Sequence, residues 1–283
     1  MKKVFYILAL LFFVFTSLNY ANNQPKENSS PIALLYAFGP EGRYLKSLMT
    51  VEDSLFAGGK FFWKGKLQGK DVVLVGSGVG MTNASATTQL LIDKFAPKQI
   101  IFTGICGGID SSNHIGDIVI PNKWATHDFG YYGKDGFRPD SISVFLPEKT
   151  RPSNFIFFEA DSFLLAVAKI TKEKVKDKFK PISQRIPKVK VGGNGVSGNS
   201  FIDQVEKRNW LKENFSAEIV DMESAAVVQV ALVNGVAVLV VRSCSDLAGG
   251  SGSSTAQVEI QDFFQVAADN SALFVLTLLE NLK

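Results

Sequence analysis

The sequence predicts a single-domain α/β protein with three layers, in which helices cover both faces of a central mixed, twisted sheet. Short apolar runs rich in β-branched residues, such as 100–103 and 236–241, are typical of strands buried on both faces. Helical segments alternate with these runs along the chain. A hydrophobic content of 46% in 283 residues suffices for one large core, and no internal repeat or second boundary divides residues 31–283.

The N-terminus has the pattern of a secretory signal peptide. Two lysines near the start precede an uninterrupted apolar run at 4–15, and polar residues follow it. We therefore expect residues 1–21 to be cleaved off after Ala21, with an uncleaved membrane anchor as the alternative. Residues 22–30 are polar and are predicted to form a disordered leader. The expected location is secreted or periplasmic, with no stable membrane insertion after cleavage.

The charge balance argues against several classes of partner. The formal net charge is +3, and cleavage of the signal peptide would remove two lysines, which leaves an almost neutral chain. Such a chain has no electrostatic basis for binding nucleic acid or an anionic membrane surface. The two histidines and two cysteines lack metal-ligand spacing, so we predict neither a metal site nor a cofactor. Cys106 and Cys244 each end a predicted strand; they either form a bonded pair or remain buried free thiols, and we favour the second interpretation.

The first half of the domain is predicted to alternate strands and helices. The elements are, in order, a strand at 32–37, a helix at 44–49, a hairpin of strands at 61–67 and 72–75, a helix at 83–95, and strands at 100–103 and 115–121. Gly76, Gly78 and Gly80 form a Gly-x-Gly-x-Gly turn before the second helix. A dinucleotide site would need an acidic residue on the next strand, and residues 99–102 contain none, which argues against that interpretation.

The second half begins with less regular sequence. Residues 124–140 are rich in glycine and aromatic residues and are predicted to be a loop, and residues 141–152 are predicted to be irregular. The later elements are, in order, an amphipathic helix at 160–177 with Phe163, Leu164, Val167 and Ile170 on its apolar face, strands at 188–191 and 219–220, a helix at 225–233, a strand at 236–241 and a long helix at 256–282.

Two acidic residues follow consecutive strands of the chain, which one predicted helix joins. Glu223 comes after the strand at 219–220, and Asp246 comes after the strand at 236–241. Open α/β sheets bind their ligands at the carboxyl ends of the strands. We therefore expect both carboxylates to face one ligand site, and a carboxyl group in such a water-poor position can hold a proton near neutral pH.

At these residues the chain resembles the superfamily of purine nucleoside phosphorylases and methylthioadenosine/S-adenosylhomocysteine nucleosidases. The segment Asp221-Met222-Glu223 is similar to the ribose-binding Met-Glu of that family, and residues 242–246 are similar to its strand ending in Ser-Asp. The resemblance spans roughly residues 31–280 and implies a nucleoside phosphorylase-like fold that assembles as a homodimer or higher homo-oligomer. Residues 245–250 resemble the secreted branch that includes plant vegetative and bark storage proteins.

The resemblance also implies roles for the acidic residues. Asp246 would be the general acid that protonates the leaving purine, and Ser245 and Arg242 would orient it. Glu223 would accept hydrogen bonds from the ribose hydroxyls, and Met222 would pack under the sugar. An oxocarbenium-like ribose needs such an acid on one side and acceptors on the other.

Further substrate-binding positions follow from the same resemblance. The ring of Phe201 would stack on the purine, and the backbone of Ile202 would meet the edge of the base. Gly78 would lie beneath the ribose. The remaining predicted lining of the base and ribose pocket is the segment Ile105, Cys106 and Gly107, in which Ile105 replaces a hydroxyl-bearing residue of the family.

The choice between hydrolysis and phosphorolysis depends on the residues near the nucleophile. Hydrolases of the family carry a glutamate after the first strand that activates water, and Glu41 holds that position. Phosphorolysis needs cationic donors to phosphate; Arg43 is a candidate, whereas Phe102 stands where the family has a second arginine. We therefore predict hydrolysis of a purine nucleoside, of adenine type because position 246 is Asp and not Asn. A phosphorylase and a non-catalytic storage or binding protein remain the alternatives.

Overall fold

The computed structural model describes residues 30–182, 184–252 and 254–282. The predicted signal peptide, and the predicted leader apart from Ser30, lie outside the described residues. Within them, a mixed sheet carries helices on both faces, which confirms the predicted three-layer α/β fold.

Four parallel strands form the centre of the sheet: β1 (Ile32–Tyr36), β4 (Lys70–Gly76), β5 (Gln99–Gly108) and β16 (Ala237–Asp246). β1 pairs with both β4 and β5, and β16 runs along the other side of β5. Most residues of these strands are buried, as expected for a sheet with both faces covered. Two antiparallel strands, β2 (Thr50–Ala57) and β3 (Lys60–Leu67), extend the edge next to β4.

A second group of strands joins the sheet at the end of β5. β15 (Ala217–Asp221) runs antiparallel to β5, with Val220 opposite Gly107. The strands beyond β15 are β14 (Asn194–Ser197), β7 (Lys123–Thr126) and β12 (Phe158–Glu159). Those beyond β16 are β6 (Ile118–Ile120) and β13 (Val189–Val191). Two short pairs stand apart from the main sheet: β8 (Gly130–Gly133) with β9 (Gly136–Pro139), and β10 (Ile142–Val144) with β11 (Ser153–Phe155).

The helices divide between the two faces. On one face α2 (Met81–Phe95) packs against α5 (Ser224–Val233). On the other face lie α1 (Gly39–Leu48), α3 (Ser162–Val175) and α6 (Ala256–Asn281), and α6 rests on β16 and β5. α4 (Val205–Phe215) packs beside β15. Among the described helices, α6 alone is long and apolar enough to span a membrane, and 61% of its most apolar window is buried inside the protein.

The structure corrects the predicted helix at 44–49. α1 begins already at Gly39, and Pro40 lies in its first turn, where a fixed φ and a missing N–H favour a helix start. Glu41 therefore belongs to the first turn of a helix and not to a loop. This places its side chain at the N-terminal end of α1, next to the end of β1.

The prediction of a loop at 124–140 was wrong, because this segment contains β7, β8 and β9. Tyr132 and Phe137 face each other across the β8–β9 hairpin, with ring centroids 5.0 Å apart, and such aromatic pairs stabilise hairpins. The apolar face of α3 was also partly wrong. Leu164 is buried, but Phe163 and Ile170 are exposed, since the buried residues recur at 164, 167, 168, 171 and 175. The strand β2 and the helix α4 were not predicted.

Candidate active site

A gap in the pairing of β5 creates the site. On one side of β5, β1 pairs with it only as far as Phe102, and β15 pairs with it only from Gly107 onwards. The intervening N–H of Ile105 has no strand partner on that side and donates to Oε1 of Glu41, at 2.9 Å. Crevices of this kind, where neighbouring strands diverge at the carboxyl end of a sheet, are the usual ligand sites of α/β folds.

Glu41 is held in this gap by main-chain groups. Its Oε2 accepts from the N–H of Ala37 at 2.7 Å and of Phe38 at 3.3 Å. Burial raises the pKa of Glu41, while Arg242, 3.9 Å away, and the three N–H donors act in the opposite direction. Gly104 is required beside it, because any side chain there would overlap the Glu41 carboxylate and the Arg242 guanidinium.

Arg242 is fully buried and organises three carboxylates. Its Nε donates to Oδ2 of Asp221 at 2.8 Å, and its Nη2 lies 3.8 Å from Oε2 of Glu223. The guanidinium carbon stands 4.0 Å from the centre of the Phe102 ring. Burial acts to lower the pKa of Arg242, but the carboxylates of Asp221, Glu41 and Glu223 outweigh it and raise the pKa. Arg242 thus carries a permanent buried charge that offsets part of the surrounding negative charge.

Asp221 joins β15 to the start of α5. It accepts from Oγ of Ser197 at 2.5 Å and from the N–H groups of Glu223 and Ser224 at 3.2 and 3.1 Å. Ser224 Oγ also donates to it, next to Arg242. These contacts fix the chain at the point where Glu223 leaves the sheet.

Glu223 is the N-cap residue of α5 and faces the Gly-x-Gly turn. Its Oε1 accepts from the N–H of Gly80 at 2.8 Å, and Gly80 adopts a φ of 91°, which a residue with a side chain rarely tolerates. Burial and the neighbouring charge of Asp221 raise the pKa of Glu223 to about 7, while Arg242 works against the shift. The glycine turn therefore positions the Glu223 carboxylate.

Asp246 ends β16 in very different surroundings. Its Oδ2 accepts from Ser245 Oγ at 2.8 Å, and its Oδ1 is buried without a hydrogen-bond partner among the described residues. Burial, followed by the charges of Glu259 and Asp203, raises the pKa of Asp246 to about 7, and only the Ser245 hydrogen bond opposes this shift. A carboxyl group of this kind can deliver a proton at neutral pH.

A cavity of about 200 Å³ brings these carboxylates together. A smaller depression of about 30 Å³ adjoins it at Asp246 and is lined by Ser200, Phe201 and Ile202. Polar lining groups lie at the strand ends, and apolar side chains form the rest of the wall. The lining residues of the main cavity are Phe38, Glu41, Val79, Ile105, Cys106, Gly107, Phe201, Val220, Asp221, Met222, Glu223, Ser245, Asp246 and Ile260.

A sequence profile of the phosphorylase superfamily matches residues 31–280. The chain belongs to this superfamily. It is 33% identical over 253 residues to the 5′-methylthioadenosine/S-adenosylhomocysteine nucleosidase of Marinomonas sp. (strain MWYL1), a match that covers 89% of this chain and 99% of the relative. The predicted superfamily is therefore confirmed.

Solved structures of the superfamily have the same fold. The 5′-methylthioadenosine/S-adenosylhomocysteine nucleosidase of Neisseria meningitidis in complex with methylthio-immucillin-A aligns with a TM-score of 0.75 and 25% identity over 89% of this chain and all of the other. Futalosine hydrolase of Helicobacter pylori aligns with a TM-score of 0.73 and 26% identity over 89% of this chain and 97% of the other. Because its relatives over most of the chain are nucleosidases, the protein is a nucleosidase, an N-ribosyl hydrolase of the phosphorylase superfamily.

Most of the residues that the sequence suggested lie together in this nucleosidase. Asp246, Glu41 and Glu223 line one cavity, and Ile202 lines the adjoining depression. The other predicted positions that line the cavity are Met222, Phe201, Ser245, Ile105, Cys106 and Gly107.

Two predicted substrate-binding residues lie elsewhere. Arg242 is not among the lining residues, and its described hydrogen bonds go to Asp221, Ser224 and the carbonyl of Thr103 rather than to Asp246. It supports the carboxylates from behind the cavity wall. Gly78 is also absent from the lining, but its neighbour Val79 is part of it. A φ of +82° and the close side chains of Lys60 and Asn83 explain why position 78 is glycine.

Several contributors to the site were missed. Asp221 is as central as Glu223, and Phe38, Val79 and Ile260 come from three separate segments of the chain. The acidic pair two residues apart was a sequence signal for Asp221, whereas no sequence pattern pointed to Ile260.

The two cysteines lie side by side as free thiols. Cys106 and Cys244 are partners on neighbouring strands, and their sulfur atoms are 3.9 Å apart. Burial raises the pKa of Cys106 well above its usual value, and the hydrogen bond with Cys244 adds to the shift. The favoured prediction of two buried free thiols agrees with this arrangement. Among the described residues, no cluster of His, Cys, Asp and Glu has the composition of a metal site.

Proposed function

We propose that the protein is an exported nucleosidase that hydrolyses adenine nucleosides with a 5′-thioether, such as methylthioadenosine or S-adenosylhomocysteine. The observation that carries the proposal is the meeting of Asp246, Glu41 and Glu223 around one cavity whose lining includes no lysine or arginine. The names of the relatives support the substrate class.

The chemistry divides between the three carboxylates. Asp246 donates its proton to the leaving purine, so that the base departs neutral as the glycosidic bond breaks. Glu223 accepts hydrogen bonds from the ribose hydroxyls and stabilises the cationic sugar. Glu41 takes a proton from the attacking water. Each group is expected to contribute in the range of about 10²–10⁴-fold, typical of positioned acids and bases.

Water is favoured over phosphate as the nucleophile by the position of the cations. Arg43, the arginine that the sequence suggested as a phosphate donor, is exposed and lines a separate depression with Tyr36 and Lys46. Arg242 is already surrounded by Asp221, Glu41 and Glu223. A phosphate ion in the cavity would meet carboxylates without a free cationic partner, which is unfavourable.

The apolar wall of the cavity favours a thioether sulfur at the 5′ position. Phe38 and Ile260 belong to the lining, and Phe38 stacks on Phe264 with ring centroids 5.2 Å apart. A thioether sulfur and its carbon neighbours would gain apolar contact at this wall, whereas a 5′-phosphate would lose hydration there. Specificity for adenine rests on Asp246, because a carboxyl group can both donate to the ring and accept from an exocyclic amine.

Export and assembly belong to the same proposal. Export rests on the basic start and apolar run at the N-terminus, and a homo-oligomer rests on the family resemblance. The intact mass of the mature protein from the secreted or periplasmic fraction tests export. A chain that begins near Asn22 is the expected result, and a full-length product in the cytoplasm contradicts it.

The substrate assignment is tested with a panel of nucleosides. The purified mature chain is incubated with methylthioadenosine, S-adenosylhomocysteine, adenosine, inosine and futalosine, and the released base is measured by chromatography. We expect the highest kcat/KM for the two thioethers. No release from any nucleoside would overturn the nucleosidase, and equal release from inosine would overturn the adenine preference alone.

A further inference from the structure

Glu259 is a buried acid next to the general acid, with no role so far. It lies in the first turn of α6 and is only 3% exposed. Its Oε2 accepts from the N–H of Leu247, the residue that directly follows Asp246, at 2.8 Å. Its Oε1 is buried and has no hydrogen-bond partner among the described residues.

The helix does not need Glu259 as a cap. The N–H groups of Ala256 and Gln257 donate to Asp203, at 2.8 and 3.3 Å, and the N–H of Val258 donates to Thr255 Oγ1 at 3.3 Å. No lysine, arginine or histidine of the described part of the chain forms an ion pair with Glu259. A buried carboxylate with one donor and no cation costs free energy, so a role other than helix stability is the better explanation.

The charged groups that act on Asp246 or share its cavity are acidic. Glu259 approaches from α6 and Asp203 from the segment before α4, and both charges act on Asp246. Glu223 from the start of α5 and Glu41 from α1 line the same cavity. Asp221 lines the adjoining depression together with Asp246. Ser245 donates a hydrogen bond to Asp246, and Cys106 and Gly107 of β5 belong to the same cavity wall. A further negative charge in these surroundings disfavours the loss of the Asp246 proton.

We propose that Glu259 is the positioning residue of the general acid: its buried carboxylate binds the N–H of Leu247, fixes the main chain directly after Asp246 and places a second acidic group beside it. The inference rests on the proposed function, since it assigns a helper to that acid. It explains why one oxygen of Glu259 binds the chain while the other stays unpaired. It also couples α6, which Asp203 ties to the Phe201–Ile202 segment, to the end of β16.

The test compares Glu259→Gln with wild type in pH profiles of kcat/KM for adenine release from methylthioadenosine. Glutamine keeps an acceptor for the N–H of Leu247 but removes the charge. Loss of the negative charge should lower the pKa of Asp246, so we expect the alkaline limb of the profile to lie about one pH unit lower than in wild type. Activity should then be about tenfold lower near pH 8 and little changed near pH 5. The exposed Asp262 lies one turn further along the same helix, so Asp262→Asn is the matched control and leaves the limb in place.

The outcomes separate the explanations. A Glu259→Gln profile that overlays wild type means a merely structural acceptor and overturns the inference. If Glu259→Gln does not fold by circular dichroism, Glu259→Asp replaces it: the retained charge should keep the limb in place while kcat falls at every pH, and a lowered limb would contradict the inference. A wild-type protein without nucleosidase activity contradicts the proposed function instead, so the two failures are distinguishable.

Discussion

The two sides of the cavity place the same functional group in opposite surroundings. On the acid side, Asp246 has one hydrogen bond from Ser245, one unpaired oxygen, and negative charges as its neighbours. On the sugar side, Glu41 accepts from three main-chain N–H groups and lies near the Arg242 guanidinium. Both carboxyls are buried, so burial alone does not distinguish them.

The difference supports the proposal that one fold can use two buried carboxyls for two roles, Asp246 as proton donor and Glu41 as proton acceptor. Burial raises the pKa of both carboxyls, but at Glu41 three main-chain donors and Arg242 oppose that shift, whereas at Asp246 only the Ser245 hydrogen bond opposes it. The proposed roles, Glu41 as base and Asp246 as acid, rest on this difference in hydrogen-bond donors and neighbouring charge.

The largest loss is expected for Glu41→Gln. Glutamine retains the shape but cannot take a proton from water, so hydrolysis should fall by about three orders of magnitude or more. Steady-state assays with methylthioadenosine measure the loss. The matched control is Glu52→Gln on the exposed strand β2, which should match wild type. Activity of Glu41→Gln within tenfold of wild type would remove Glu41 from its role as base.

The next largest loss is expected for Asp246→Asn. Without a proton for the leaving base, turnover should drop by about two orders of magnitude or more. Binding of the nucleoside should survive, since the asparagine is the same size, and calorimetric titration can check this. The exposed Asp262→Asn serves again as control. Turnover within a few-fold of wild type would show that another group protonates the base.

This contrast was only partly visible in the sequence. Asp246 and Glu223 were predicted as a pair because strand ends of an α/β sheet converge on one edge, and that reasoning is local. The contact of Glu41 with Ile105 joins positions that are far apart in the chain, and no spacing rule predicts it. The position of Arg242 behind Glu41 and Asp221, and not beside Asp246, depends on which way a buried side chain turns out of a strand. Glu259 lies in a helix whose pattern indicated only a core helix.

A smaller effect with an informative sign is expected for Ser245→Ala. The hydrogen bond from Ser245 lowers the pKa of Asp246, so its loss should raise that pKa and move the alkaline limb of kcat/KM upward by less than about one pH unit. This direction is opposite to that expected for Glu259→Gln. If the alkaline limb moved in the same direction in Ser245→Ala and in Glu259→Gln, the electrostatic account of Asp246 would be contradicted.

The last effect concerns the free energy of unfolding and not catalysis. The pKa of Asp246 is about 7 in the folded protein, above its ordinary value of 3.8, so between these values the folded state binds a proton that the unfolded state has released. The free energy of unfolding therefore falls as pH rises through this window, and the loss persists above it. Asp246→Asn removes this penalty and should be more stable than wild type near pH 8, by about 1–3 kcal/mol, but not near pH 4. Urea unfolding at both pH values measures the free energy of unfolding. A variant less stable than wild type near pH 8 would argue against a raised pKa of Asp246.

The identity of the sugar product tests most directly the claim that water attacks on the Glu41 side. Wild-type protein is incubated with methylthioadenosine in the presence and absence of saturating phosphate, and the sugar product is identified by mass spectrometry. The division of labour between Asp246 and Glu41 predicts free 5-methylthioribose in both reactions, at the same rate. Methylthioribose 1-phosphate formed in proportion to added phosphate, by wild type and by Glu41→Gln alike, would contradict it and make the protein a phosphorylase.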